Sequence, residues 1–268
     1  MAYLDRGNGQ RVYYEDNGSG DSAIMLVHGW GMSLRFWDYT LPALLQAGYR
    51  VIALDHRGCG QSDKDFDDMG INAIAGDVTE LVDALGLKRV VLNGWSLGGA
   101  VAVTAAESLG DRCAALVLTC GATPAYLQKD GYPHGGTEEA LAQTLQAMAD
   151  DRVNFLLALS QGVCAREVSE ATVQWMWQSF MAASPRAAQA LGQLGPLDQR
   201  TTLAALAIPI LSFVGGQDGV VDPAVCRSVA DFNSNARLVE FPEAGHAPFI
   251  EERDRYNSEL INFIKACL

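Results

Sequence analysis

The sequence predicts an α/β fold with a mostly parallel β-sheet, and three observations lead to this class. Short, continuously apolar runs alternate along the chain with longer segments of helical periodicity. The apolar runs have the composition of strands that are covered on both faces, as in parallel sheets. A strand, a serine on a glycine-flanked turn and an alanine-rich helix follow one another at residues 89–109. Strands that alternate with helices at this spacing need crossover connections, which are right-handed in parallel sheets.

The individual strands and helices follow from composition and periodicity. Residues 12–15 form the first predicted strand, which we interpret as an edge strand that ends at the turn of residues 17–20. Further strands are predicted at residues 23–27, 50–54, 90–92, 115–118, 208–214 and 237–241. Helices are predicted at residues 34–46, 71–85, 97–109, 223–231 and about 251–266.

Residues 123–200 break this alternation and predict helices only. Residue types that begin helices precede apolar periodic segments there. These predicted helix starts are Thr137, Asp151, Ser169 and Ser184, the last followed by Pro185. We therefore expect a helical cap over residues 123–200, inserted into a core domain of residues 1–122 and 201–268. Such a cap would cover the carboxyl edge of the sheet, where ligands bind in open α/β folds.

Composition limits the function classes. The 268 residues are 49% hydrophobic and 19% charged, which fits a globular chain with a large core. The formal net charge of −13 disfavours nucleic acids and anionic membrane surfaces as partners, because like charges repel. No apolar run reaches membrane-spanning length, and the start of the chain lacks the apolar core of a signal peptide. We therefore expect a cytoplasmic protein.

The spacing of cysteine and histidine argues against disulfides and zinc. The six cysteines include no Cys-x-x-Cys pair, which is typical of reduced thiols. The four histidines lie far apart in the sequence and form no recognisable set of zinc ligands. The sequence thus predicts no metal site.

The segment around Ser96 carries the strongest chemical signal. Ser96 lies on a tight turn between the strand at residues 89–93 and the helix that begins at Leu97. Gly94 and Gly98 remove the side chains that would collide where the strand turns into the helix. The turn exposes one hydroxyl and aims the N-terminus of a helix at the group it attacks. Because the strand and the helix that this motif requires are both present, we interpret Ser96 as a nucleophile.

A serine hydroxyl needs a base to take its proton, and a histidine base needs a carboxylate to hold its tautomer. Residues that could play these two roles follow predicted strands. His246 lies on the loop between the last strand and the last helix, from which it could reach Ser96. Asp218 directly follows the apolar run 208–214 and stands among glycines. Asp222 is the nearby alternative, but its following proline indicates a helix start, so we assign it a structural role. The order serine, aspartate, histidine is the one expected for this arrangement of strands.

Negative charge that develops on a substrate carbonyl during attack needs fixed hydrogen-bond donors. The backbone N–H of Leu97, directly after the nucleophile, is one candidate. The backbone N–H of Trp30, on the loop after strand 23–27, is the other. We expect His28 to satisfy backbone groups of that loop, and His56 and His134 to be surface residues.

The chain resembles the α/β-hydrolase family over nearly its whole length. The resemblance lies in residues 28–31 (HGWG), 55–62 (DHRGCGQS), 94–99 (GWSLGG), 216–218 (GQD) and 245–249 (GHAPF). It implies an eight-stranded sheet with one antiparallel edge strand, a helical cap and no cofactor. It also implies that the loop at residues 55–62 shapes the site without reacting.

The resemblance also narrows the reaction. A serine nucleophile excludes the branches that use an aspartate, such as haloalkane dehalogenases and epoxide hydrolases. Esters or lactones are the expected small-molecule substrates, cleaved through an acyl-enzyme intermediate. The motifs are similar to those of acyl-homoserine lactonases and of the methyl esterase of biotin synthesis, but the net charge of −13 disfavours the acidic acyl carrier of the latter. The apolar faces of the cap helices suggest an apolar acyl group.

Three alternatives stay open at this point. The same three residues could hydrolyse a carbon–carbon bond of a diketone-like substrate in a polar pocket lined by Arg152, Arg166 or Arg186. The chain could instead be a ligand-sensing receptor with slow turnover, or could carry out cofactor-free oxygen or peroxide chemistry. The sequence does not decide the physiological substrate, the enantiopreference or the oligomeric state, monomer or homodimer.

Overall fold

The computed structural model describes residues 2–7 and 9–268, so Met1 and Asn8 of the predicted core range 1–122 lie outside the described residues. Its centre is one eight-stranded sheet. The strands are β1 (Ala2–Asp5), β2 (Arg11–Asn17), β3 (Ser22–Val27), β4 (Val51–Leu54), β5 (Arg89–Trp95), β6 (Cys113–Thr119), β7 (Ile210–Gly215) and β8 (Ala236–Phe241). Their order is β1-β2-β4-β3-β5-β6-β7-β8. Strands β3 to β8 are parallel to one another, which confirms the predicted mostly parallel sheet.

The prediction for the edge of the sheet is wrong in two respects. Residues 12–15 lie in β2, but the edge strand is β1, which pairs antiparallel with β2. Strand β2 also pairs antiparallel with β4, so the antiparallel strand is the second one rather than the edge strand. Strand β1 escaped prediction because it has 4 residues, of which Leu4 alone is buried, and so short a segment shows no apolar periodicity.

Helices cover both faces of the sheet. They are α1 (Leu41–Gln46), α2 (Ile71–Ala84), α3 (Leu97–Leu109), α4 (Glu138–Asp150), α5 (Arg152–Gly162), α6 (Glu170–Ala182), α7 (Ala188–Gln193), α8 (Arg200–Ala205), α9 (Pro223–Phe232), α10 (Pro248–Glu251) and α11 (Arg253–Ile264). The helix predicted at residues 34–46 is a 3₁₀ helix, Leu34–Tyr39, followed by α1, because Pro42 has no N–H with which to continue the first helix. The helix predicted at 251–266 is also divided, because the backbone at Glu252 leaves the helical region (φ −132°, ψ 49°).

The two sides of the central strands pack into two separate apolar cores. In β3, Ala23, Met25 and Val27 face the core that includes residues of α2, α3 and α9. Ile24 and Leu26 face the core that includes residues of α1 and α11. The predicted burial of this apolar run on both faces is therefore confirmed. No helix within the described residues is both long and apolar enough to cross a membrane.

Helices α4 to α8 lie between β6 and β7 in the chain. The side-chain oxygens at three predicted helix starts accept hydrogen bonds from backbone N–H groups three residues on: Thr137 from Ala140, Asp151 from Asn154, and Ser169 from Thr172. These three starts are confirmed. At Ser184 the segment begins as a 3₁₀ turn, Pro185–Ala187, before α7. The division of the chain into a core and a cap of residues 123–200 stays a prediction.

Asp55 organises the loop that follows β4. Its Oδ1 accepts a hydrogen bond of 2.7 Å from the N–H of Leu34, and its Oδ2 accepts one of 2.7 Å from the N–H of Gln61. A Cβ at Gly60 would lie 2.0 Å from that Oδ2, so the loop closes around the carboxylate only with a glycine there. These contacts fit the structural role that the resemblance implies for residues 55–62.

His28 and His56 join the loops after β3 and β4. The Nε2 atom of His28 accepts a hydrogen bond of 2.9 Å from the N–H of His56, so its Nδ1 donates to Gly29 O at 2.7 Å. The two rings stack with centroids 3.7 Å apart. The expectation for His28 is met, but His56 is 2% exposed and the prediction of a surface residue is wrong. His134 is partly exposed and packs edge-on against Tyr132.

We expect the two stacked histidines to make stability depend on pH. Burial lowers the pKa of His28, and burial together with His28 lowers the pKa of His56 well below 6.5. The unfolded chain therefore binds more protons than the folded protein below about pH 6.5, and stability is lost as the pH falls. The free energy of unfolding should fall by up to about 1.4 kcal/mol per pH unit for each ring between about pH 6.5 and 5.

Urea unfolding at a series of pH values measures this slope. In His56→Gln, which keeps a planar polar group but does not take up a proton, the slope should be smaller than in the parent. An identical slope in both proteins would contradict the prediction.

Candidate active site

Ser96 lies between β5 and α3, at the predicted turn. Its backbone φ of 58° and ψ of −124° lie in a region that residues with a side chain rarely adopt. A Cβ at Gly94 would lie 2.1 Å from the carbonyl oxygen of Gly98, and one at Gly98 would lie 2.3 Å from that of Val27. The predicted collisions at both glycines are confirmed. The turn leaves Ser96 9% exposed, where it lines a cavity.

Asp218 and His246 meet at the carboxyl ends of β7 and β8. Asp218 Oδ2 lies 2.7 Å from His246 Nδ1, and since an ionised carboxylate only accepts hydrogen bonds, Nδ1–H donates and Nε2 is left with its lone pair. Asp218 Oδ1 accepts further bonds of 2.8 and 3.0 Å from the N–H groups of Val220 and Val221. Both side chains are almost fully buried. The aspartate therefore fixes one tautomer and one orientation of the imidazole.

Ser96 and His246 line the same cavity, but the bond between them is not formed. Among the hydrogen bonds of the described residues, none joins Ser96 Oγ to His246 Nε2, whereas the bond between His246 and Asp218 is complete. Links of this kind are often long in ligand-free sites and shorten when substrate binds. The structure therefore brings the three predicted residues to one site with one of their two hydrogen bonds in place.

Asp222, the alternative acid, lies at the start of α9. Its Oδ1 accepts a hydrogen bond of 2.9 Å from the N–H of Ala224, which caps the helix, and its Oδ2 accepts one of 3.1 Å from the N–H of Gly135. These contacts agree with the structural role that we assigned to it.

The two backbone N–H groups predicted to stabilise negative charge are free to do so. Trp30 and Leu97 both line the cavity beside Ser96. Neither backbone N–H donates a hydrogen bond to another of the residues that the structure describes. The indole N–H of Trp30 donates to Ala187 O at 2.9 Å, which ties the loop after β3 to the segment before α7.

The cavity has a volume of about 300 Å³ and is mostly apolar. Its outer wall comes from residues that the sequence did not single out as pocket residues: Phe155, Leu159, Val163, Phe180, Leu191 and Leu194. Phe155 and Leu159 stand four residues apart on α5 and therefore lie on the same side of that helix. The hydroxyl of Tyr126, which also lines the cavity, donates its hydrogen bond to Val220 O at 3.1 Å. No Asp, Glu, Lys or Arg belongs to the described lining.

The arginines considered for a polar pocket lie elsewhere. Arg152 donates to two carbonyl groups at the end of α6, at 2.9 and 2.8 Å, and joins α5 to α6. Arg166 is half exposed and lies 3.9 Å from Glu252. Arg186 is half exposed and lies 3.9 Å from Asp67. The described lining thus lacks the arginine that the carbon–carbon hydrolase alternative requires.

A thiol lies beside the aspartate and histidine. One candidate ligand atom each from Cys120, Asp218 and His246 lie within 4.8 Å of one another. Burial, with a smaller contribution from Asp218, raises the pKa of the Cys120 thiol well above its usual value. A thiol that holds its proton, next to a carboxylate and an imidazole that already bind each other, is a poor metal site. We interpret Cys120 as a packing residue.

Comparison with known proteins agrees with the fold. A family model for the alpha/beta hydrolase fold matches residues 22–253. A non-heme haloperoxidase of Rhodococcus erythropolis is 31% identical over 275 residues, which cover 99% of this chain and 100% of the relative. A pimeloyl-[acyl-carrier protein] methyl ester esterase of Pectobacterium carotovorum is 29% identical over 262 residues, which cover 95% and 99%. The solved structure of an esterase from Exiguobacterium antarcticum matches with a TM-score of 0.93 at 29% identity over 98% of each chain.

The lack of space at the Ser96 turn predicts opposite effects for two glycine-to-alanine changes in helices. Gly98→Ala should destabilise the protein by about 2 kcal/mol or more, because its methyl group meets backbone oxygen atoms. Gly76→Ala, in α2, should stabilise it by up to about 1 kcal/mol, because alanine favours helix and no atom lies within 4 Å of the new Cβ. Urea unfolding measures both changes. Equal effects of the two substitutions would show that the turn has room for a side chain.

Proposed function

The chain belongs to the alpha/beta hydrolase fold family, and on that premise we propose that it is a serine hydrolase that cleaves a carboxylic ester or lactone. The observation that carries the proposal is the 2.7 Å hydrogen bond between Asp218 and His246, in a cavity that Ser96 also lines. The bond leaves the lone pair of His246 Nε2 available as a base. The similar proteins reported above differ in the activities that their names give, so the proposal rests on the geometry of the site.

The proposed reaction proceeds in two steps. His246 Nε2 takes the proton of Ser96 Oγ as the oxygen attacks the substrate carbonyl carbon. The N–H groups of Trp30 and Leu97 stabilise the resulting oxyanion. His246 then gives its proton to the leaving alkoxide as the ester carbon–oxygen bond breaks, and Ser96 is left acylated. In the second step His246 takes a proton from water as the water attacks the acyl carbon. His246 then returns that proton to Ser96 Oγ as the bond between Oγ and the acyl carbon breaks and the acid leaves, while Asp218 stabilises the imidazolium in both steps.

The cavity supports a small, uncharged and apolar acyl group. Its wall is formed by aromatic and aliphatic side chains, and its volume of about 300 Å³ suits a substrate of modest size. A charged group on the substrate would be buried in this cavity without a partner of opposite charge. We therefore propose a free small-molecule ester or lactone.

The six cysteines are unpaired thiols, which supports the proposed cytoplasmic location.

Hydrogen peroxide is a second acyl acceptor to test. A relative of 31% identity is named a non-heme haloperoxidase and matches 99% of this chain. In this variant of the reaction, peroxide replaces water in the second step, its oxygen attacks the acyl-enzyme, and a peracid leaves Ser96. The first step and its residues stay the same.

Covalent labelling tests the proposed nucleophile. A fluorophosphonate should label Ser96 stoichiometrically and should not label Ser96→Ala. Ser96→Ala, His246→Ala and Asp218→Asn should each lower ester turnover by about 10³-fold or more while the protein remains folded. Mass spectrometry of the adduct identifies the labelled serine, and circular dichroism shows whether each variant is folded.

Asp222→Asn is the matched control, since it makes the same chemical change four residues away and affects only the cap of α9 and the contact with Gly135. An adduct at another serine would contradict the assignment. Labelling without ester or lactone turnover above the uncatalysed rate would favour the ligand-sensing receptor.

The apolar wall predicts discrimination against charged acyl groups. We expect ethyl pentanoate to be hydrolysed with a kcat/KM about 100-fold higher than monoethyl succinate, because the carboxylate of the latter loses its water without gaining a partner. The two acyl chains are similar in length, so steady-state kinetics compare charge at nearly constant size. Equal kcat/KM values would show that the acyl group does not enter the described cavity.

A further inference from the structure

Glu251, the last residue of α10, places its carboxylate against four backbone N–H groups. Its Oε2 accepts hydrogen bonds of 2.9 Å from the N–H groups of both Ala165 and Arg166. Its Oε1 accepts one of 2.9 Å from Gly245 and a longer one of 3.4 Å from Ala247. Hydrogen bonds to an ionised acceptor are stronger than those between neutral groups. The carboxylate thus holds four main-chain positions at once.

These four N–H groups belong to two segments that are distant in sequence. We name residues 163–166, between α5 and α6, the cap loop, and residues 244–247, between β8 and α10, the histidine loop. The loops also touch directly, because the N–H of His246 donates to Val163 O at 2.8 Å. A Cβ at Gly245 would lie 2.6 Å from the backbone nitrogen of Ala165, so the approach is too close for a side chain there. Glu251 binds both loops at this contact.

The backbone of His246 is consequently held on every side. Its N–H is bound by the cap loop, and its carbonyl oxygen accepts a hydrogen bond of 2.8 Å from the indole N–H of Trp95. The residues before and after it, Gly245 and Ala247, are bound by Glu251. The ring itself binds Asp218 through Nδ1. The direction in which Nε2 points is therefore set by the position of the histidine loop.

We propose that Glu251 is a positioning residue that aligns His246 with Ser96 by fixing the histidine loop to the cap loop. The inference rests on the proposed function, since it concerns the same acid–base step. Glu251 touches no reacting atom and acts through the backbone on either side of His246. The wall residue Val163 belongs to the cap loop, so the same carboxylate joins the ligand-binding wall to the base.

The neighbouring glutamate shows that this arrangement is specific to one side chain. The Glu252 carboxylate accepts no hydrogen bond from the backbone of either loop in the part of the chain that the structure describes. It lies 3.9 Å from the side chain of Arg166, in the cap loop, and 3.6 Å from that of Arg255, and both arginines are about half exposed. Ion pairs of this kind contribute little to stability. Glu252→Gln therefore removes the same charge one residue away without affecting the backbone contacts of the histidine loop.

The test compares Glu251→Gln and Glu251→Ala with Glu252→Gln in the full-length protein. The amide of Glu251→Gln presents an NH₂ group to N–H donors on one side, so that it can satisfy only part of the set. In both Glu251 variants, kcat for a p-nitrophenyl ester should fall about 10- to 100-fold while KM changes by less than about threefold. The rate of fluorophosphonate labelling at Ser96 should fall in parallel. Glu252→Gln should keep parental values.

Chemical rescue separates positioning from folding. Glu251→Ala leaves a carboxylate-sized space between four N–H groups, so formate should restore kcat in a saturable way, whereas neutral formamide should not. A variant that has merely lost folded protein would show fewer labelled sites at an unchanged rate and no response to formate. Circular dichroism and the count of labelled sites give the folded fraction.

Parental kcat and labelling rate in folded Glu251→Gln and Glu251→Ala would overturn the inference, as would a loss of activity that is explained by the folded fraction alone. Failure of the proposed function is a different outcome: the parent protein itself would then neither hydrolyse the ester nor label at Ser96.

Discussion

The turn at Ser96 exists because backbone segments meet there without room for side chains. Gly94 and Gly98 lie against main-chain oxygen atoms, and a Cβ at Gly99 would lie 2.8 Å from the Cα of Gly121. This contact brings the start of α3 against the ends of β3 and β6. It sets the unusual backbone of Ser96 and places the N–H of Leu97 at a helix N-terminus, where no acceptor among the described residues binds it. The proposed nucleophile and one of the proposed oxyanion donors thus depend on a single packing constraint.

Most of the sheet could be predicted from sequence because its strands are buried on both faces and read as apolar runs. The failures have local causes. Strand β1 is too short to show a pattern, and Pro42 divides a segment whose apolar spacing indicated one helix. His56 resembled a surface residue because the residues next to it in the sequence do not indicate that a residue from another loop packs on it. Its stacking on His28 is a tertiary contact between β3 and β4 loops.

The candidate site was predictable to the extent that it depends on strand order. Parallel strands end at one edge of the sheet, so residues that follow β5, β7 and β8 must lie near one another, and the bond between Asp218 and His246 agrees with this argument. The cavity wall could not be derived in the same way, because the sequence spacing of apolar residues does not determine how α5 and α7 pack on the rest of the protein. The role proposed for Glu251 could not be predicted either, because its partners are backbone N–H groups. Every residue except proline has such a group, so the sequence does not identify them.

The two sides of the cavity differ in how freely their residues could change over evolutionary time. The inner side is built from main chain at close contact and from the hydrogen-bonded pair of Asp218 and His246, so substitutions there disturb the groups that we propose to react. The outer side is a set of apolar side chains, such as Phe155 and Leu191, each replaceable by another of different volume. New substrate preferences in this lineage should therefore arise by exchange of outer-wall residues, with the inner side inherited almost unchanged.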